Sequence, residues 1–127
     1  MDELLELGLN ETEVKDIITT NPQILKLTNK EITDLINILK QINCKDYHIK
    51  NIITANPFYL SRSKEDIIKL IKKLLSLNIN NLEITFDTNP WLLNKDSYEI
   101  DEYIKEKLQK KKTLTEIIDT IESGEID

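Results

Sequence analysis

The dipeptide Asn-Pro occurs at Asn21-Pro22, Asn56-Pro57 and Asn89-Pro90, with steps of 35 and 33 residues between the prolines. A period of that length marks tandem copies of one supersecondary unit, which restricts the fold more than any other feature of the chain. Proline disfavours helical geometry in the residue before it, so each copy has to end a helix at the asparagine. Aligning the prolines brings Leu25, Leu60 and Leu93 into one column and Thr28, Ser63 and Asp96 into another. The second column contains only helix-capping residue types. Glu31, Asp66 and Glu99 follow it three positions later, the spacing of a capping box or its shorter analogue.

From each cap an apolar stripe of helical period begins: Ile32, Leu35, Ile36, Leu39 and Ile42, then Ile67, Leu70, Ile71, Leu74 and Leu77. The third copy keeps Ile100, Tyr103, Ile104 and, one place off register, Leu108. Long helices are predicted over 29–42, 64–77 and 97–109. Asn43 and Asn78 align with Gly8 at the helix ends, where a left-handed C′ residue is wanted. Shorter helices precede each Asn-Pro, carrying Val14, Ile17 and Ile18, then Ile49, Ile52 and Ile53, then Leu82, Thr85 and Phe86. Thr113 and Glu116 form another capping box, before Ile117, Ile118 and Ile121 and a closing Gly124.

With two glycines and three prolines in 127 residues there is little material for hairpin turns, so the expected class is all-α. The expected architecture is a short α-solenoid of about three helical-hairpin repeats with a C-terminal capping helix. It occupies one helical-repeat domain over 1–127, with repeats at about 4–38, 39–73 and 74–109 and the cap at 113–123.

The stretch "LLELGLNETEVKDIITTNPQILKLTNKEITDLINIL" resembles the repeat of the mitochondrial transcription termination factor (mTERF) family. The resemblance lies in the leucine pair, the Leu-Gly-Leu turn, the spaced aliphatics and a proline with leucine two or three places on, and it extends in degenerate form from residue 4 to about 108. It implies a curved superhelix of helical repeats and a double-stranded nucleic-acid ligand held by basic residues of the solenoid surface. The matched positions are scaffold positions, so the resemblance assigns no contact residue.

Little in the chain points to catalysis. His48 is the single histidine and Cys44 the single cysteine, so neither a His-based metal site nor a Ser-His-Asp arrangement can be assembled in the usual way. Cys44 aligns with Leu9 and Ile79 and reads as a small core residue, and His48 reads as a partly exposed helix residue. No glycines are spaced to cradle a phosphate. The carboxylates Glu11, Glu13 and Asp16, and Glu99, Asp101 and Glu102, read as solvated faces and helix-start charges. Asn10 matches a glycosylation sequon but reads as a helix cap. Trp91, in a column with Gln23 and Phe58, reads as a plug between repeats in preference to an exposed stacking platform. No catalytic, metal or cofactor site and no small-molecule substrate are expected. The acidic N-terminus and the lack of a long apolar run point to an intracellular, cytoplasmic protein without a membrane span.

The net charge of −6 is unevenly distributed. Residues 1–39 carry three lysines against eight acids, residues 74–127 six against twelve, and residues 40–73 eight basic groups against three acids. Lys45, Lys50, Arg62, Lys64, Lys69, Lys72 and Lys73 therefore form the candidate nucleic-acid-binding set, with duplex DNA or structured RNA as the partner. Lys69, Lys72 and Lys73 fall opposite the apolar stripe of the second long helix. Asp34 and Glu102 are the equivalents of Lys69, so the basic charge belongs to the middle copy and is no requirement of the repeat. The competing reading is an acidic adaptor or inhibitor that offers the solenoid surface to a basic protein partner.

Overall fold

The computed structural model describes residues 2–125 and contains α-helices and 3₁₀ helices but no strands among them. The order is α1 (Asp2–Glu6), α2 (Glu11–Thr20), η1 (Pro22–Lys26), α3 (Asn29–Gln41), α4 (Asp46–Ala55), η2 (Pro57–Ser61), α5 (Lys64–Ser76), α6 (Leu82–Thr88), η3 (Pro90–Asn94), α7 (Ser97–Gln109) and α8 (Leu114–Glu122). The long helices α3, α5 and α7 lie within a residue of the boundaries expected from the caps. Each repeat is a short helix, a 3₁₀ turn and a long helix, so the fold is an all-α solenoid.

Like elements stack on like. The long helices form one layer, in which α1 meets α3, α3 meets α5 and α5 meets α7. The short helices α2, α4 and α6 form a second, and η1, η2 and η3 stack into a narrow ridge against it. The core fills the space between layers. Ile32, Leu39, Ile67, Leu70, Leu74 and Ile100 meet Ile17, Ile49, Ile52, Ile53, Leu82 and Phe86, all nearly or fully buried.

The local chemistry of each joint accounts for the repeat. Thr28 Oγ1 accepts from the Glu31 amide at 3.1 Å while Glu31 accepts from the Thr28 amide at 3.0 Å, and Asn10 with Glu13 and Thr113 with Glu116 do the same. Ser63 caps the Asp66 amide without a return bond from Asp66. At the helix ends Gly8, Asn43 and Asn78 have φ of 97°, 73° and 64°, and Lys111 takes the same place at 62°. The residue after each of these donates its amide to the carbonyl five back, as Leu9 to Leu4, Cys44 to Leu39, Ile79 to Leu74 and Lys112 to Lys107. These are Schellman closures, which recover carbonyls left without a helical donor.

The third copy departs from its sequence expectation. Of its stripe only Ile100 is buried; Tyr103 and Ile104 are half-buried and Leu108 is 49% exposed. The outward side of α7 has no further long helix against it and packs instead on α8. Leu25 also differs, being 67% exposed where Leu60 and Leu93 are fully buried. Leu60 shares a cavity wall with Leu27 and Leu35 of the preceding copy, a neighbour that Leu25 lacks.

Candidate nucleic-acid interface

The function of the Asn-Pro asparagines becomes visible only in the stacked repeats. Asn21 is buried, and its Nδ2 donates to the Pro57 carbonyl (3.2 Å) and Ser61 Oγ (2.6 Å) of the next copy. Asn56, fully buried, donates to the Pro90 carbonyl (3.0 Å) and exchanges a pair of amide bonds with Asn94 (3.0 and 3.1 Å). Asn89 donates to the Glu122 carbonyl at 3.1 Å. Each copy thus reaches forward to the next with the residue that ends its short helix. Sequence periodicity located this column but accounted for it only as a helix stop, because the acceptor lies some 33 to 36 residues away.

The candidate basic residues sit in this frame, and several are already engaged. Arg62, one of the candidate nucleic-acid contacts, is folded into the joint between the second and third copies. Its Nε donates to the Leu93 carbonyl (3.1 Å) and its Nη2 to the Lys95 carbonyl (3.0 Å) and to Asp96 Oδ1 (2.7 Å), leaving the side chain 17% exposed. The Asp96 carboxylate, which forms a capping box with Glu99 at the start of α7 as expected, also takes part in this ion pair. Lys73 meets Asp101 of α7 at 2.6 Å, Lys64 lies 3.9 Å from Asp34 of α3, and Lys50 lies 3.8 Å from Glu13 of α2.

The charge asymmetry therefore has a structural component. Two cations of the middle repeat pair with acids of the first, and two with acids of the third. A basic layer between acidic layers is what inter-repeat pairing produces, although exposed pairs at nearly 4 Å each contribute at most about 1 kcal/mol. Among the described residues, Lys45, Lys69 and Lys72 are exposed and have no carboxylate within 4.0 Å. Lys69 and Lys72 lie three apart on α5 and so share one solvent face. Lys45 stands apart from them in the turn before α4, where its amide donates to His48 Nδ1 at 2.9 Å. His48 takes the third-position role that glutamate plays in the other capping boxes.

A cavity of about 410 Å³ opens between α3 and the start of α5, lined by Leu27, Asp34, Leu60, Arg62 and Lys64 among others. Among its charged groups, Asp34 lies between Lys30 at 2.9 Å and Lys64, and the Lys30 bond holds its carboxyl below the usual range. No group of three or more potential metal ligands exists among the described residues. Burial pushes the Cys44 thiol up to about 12, with Glu83 and Asp87 adding to the effect, so it is a protonated core group at neutral pH. Trp91 is no plug. It is 55% exposed and pairs with the 41% exposed Phe58 at a centroid distance of 6.2 Å along the 3₁₀ ridge.

A family model described as mTERF matches residues 1–87, which takes in the first two Asn-Pro copies and the short helix of the third. No curated protein and no solved structure matches the chain. No helix among the described residues is long and apolar enough to cross a membrane.

Proposed function

Since this chain belongs to the mTERF family, whose helical-repeat proteins in general bind nucleic acid without catalysing a reaction, we propose that it is a non-enzymatic nucleic-acid-binding module of the cell interior. Its central repeat contacts the phosphates of duplex DNA or structured RNA. The observation that carries this reading is the exposed pair Lys69 and Lys72 on α5, with Lys45 as a further contact, none of them engaged by an acid within 4.0 Å. Lys50, Lys64 and Lys73 supplement them by exchanging a neighbouring carboxylate for a phosphate, and Arg62 stays with the fold.

Three phosphate contacts in an otherwise acidic protein imply weak, sequence-tolerant binding. These three contacts by themselves contribute about −2.7 to the slope of log affinity against log salt, a loss of roughly 40-fold between 50 and 200 mM salt. In an anisotropy titration with a duplex, Lys69→Glu with Lys72→Glu is expected to abolish binding while leaving the unfolding midpoint unchanged. Glu102→Lys, on the equivalent face of α7, is expected to strengthen it. Absence of binding by the native protein at 50 mM salt would sink the reading. Capture of a basic protein that is lost with Glu102→Lys would instead support the acidic-adaptor alternative.

A further inference from the structure

Three columns that hold apolar residues in the earlier copies change to lysine at the end of α7. Leu4, Leu39 and Leu74 are fully buried, and their equivalent is Lys107. Leu7, Ile42 and Leu77 are buried or half-buried, and theirs is Lys110; Leu9, Cys44 and Ile79 are buried, and theirs is Lys112. With Lys105 and Lys111 these make five lysines against one glutamate over residues 105–112, a run concealed by the acidic total of the last third of the chain.

The end of a solenoid needs a polar outer face, but that need is met equally by glutamine or glutamate. Lysine at every one of these positions, in a chain of net charge −6, calls for a further reason. Lys111 sharpens the point. At φ 62° it occupies the left-handed site that Gly8, Asn43 and Asn78 fill in the other copies, where a lysine is the least favourable of the choices made.

Most of this charge is unspent. Lys110 pairs with Glu106 at 3.0 Å and Lys107 lies 5.3 Å from the centre of the Tyr103 ring. Lys105, Lys111 and Lys112 are exposed with no carboxylate within 4.0 Å among the described residues. Lys112 borders a cavity of about 240 Å³ with Tyr103, Lys107, Glu116, Ile117 and Thr120. Lys105 on α7 also has the same register as Lys72 on α5, and neighbouring packed helices lie roughly 8–10 Å apart.

We propose that the Lys105–Lys112 turn is a second phosphate-binding site, which extends the contact of Lys69 and Lys72 across the long-helix layer so that one nucleic-acid backbone runs from α5 to the end of α7. This rests on the nucleic-acid reading above, and it places half or more of the binding charge in the last repeat.

The test combines Lys105→Gln, Lys111→Gly and Lys112→Gln, with Lys69→Gln plus Lys72→Gln as the companion variant, each titrated with a duplex oligonucleotide over a salt series. The C-terminal triple is expected to make the log–log salt slope shallower by about 2.7 and the companion by about 1.8, independently of each other. Lys111→Gly alone should raise the thermal midpoint by a few degrees while weakening binding, because glycine relieves the left-handed backbone and removes a contact. A C-terminal triple that keeps the native affinity and slope while the companion loses them would overturn this site and leave the central one standing. No binding by the native protein removes both. A lowered midpoint in Lys111→Gly would show that the lysine serves the fold, which also overturns the proposal.

Discussion

The joint between the first and second copies and the joint between the second and third are built on the same step and finished differently. In both, an Asn-Pro asparagine crosses to the next proline carbonyl. The first joint adds a tyrosine: Tyr59, fully buried on η2, donates its hydroxyl to the Leu35 carbonyl of α3 at 2.6 Å. The second joint adds an arginine, Arg62, with its three bonds to η3 and its cap. What repeats is the bond from the asparagine side chain to a backbone carbonyl; what varies is the bond that a second side chain adds to it. A solenoid can therefore diverge in sequence and keep its period, provided the asparagine column persists. At the far end Asn89 reaches the Glu122 carbonyl of α8, and Gly124, at φ 74°, leaves the room this needs, since a Cβ there would collide with the Asn89 side chain.

The shared step is the most costly to break. Asn56→Ala leaves Pro90 O and the Asn94 amide without their buried partner and is expected to cost about 2–3 kcal/mol in chemical denaturation. Asn89→Ala, whose single bond is solvent-exposed, is expected to cost under about 1 kcal/mol. Equal losses at the two would mean that burial is not what gives the column its weight.

The arginine comes next. Arg62→Met removes charge-assisted bonds at a side chain that is only 17% exposed, and about 2 kcal/mol should be lost. Arg62→Lys should recover less than half of it, because one ammonium cannot span Leu93 O, Lys95 O and Asp96 as a planar fork does. Full recovery by lysine would reduce the joint to a simple ion pair.

The tyrosine has the smallest effect at neutral pH and a distinctive one in alkali. Tyr59→Phe should cost about 1 kcal/mol, since the Leu35 carbonyl keeps its helical donor. Burial raises both the Tyr59 phenol and the Cys44 thiol above their ordinary values of 10.0 and 9.0. The folded state thus holds protons that the unfolded chain releases first. Stability from these groups is complete below pH 9 and falls as the pH rises through 9 and 10, and Tyr59→Phe should flatten the later part of that fall. An unchanged profile in the variant would assign the alkaline loss to other groups.

The long-range periodicity, the caps, the left-handed turns and the all-α class were legible along the chain because each is a local event. Thr28 with Glu31, Ser63 with Asp66, and Asn43 and Asn78 at positive φ all act within a few residues, so spacing alone identifies them. The fate of charged and aromatic side chains was not legible in the same way. Arg62 and Lys73 lie in the same basic segment as Lys69 and Lys72, yet the first two are claimed by carboxylates of the next copy and the others are not. Trp91 and Leu25 occupy columns that could be buried or bare, and the neighbouring copy decides which. The sequence by itself determined the repeating unit, through interactions spanning one turn of helix. Only the tertiary structure decided which polar groups are spent between units and which remain free for a partner, because those bonds join residues about 30 to 40 positions apart, where no local pattern constrains them.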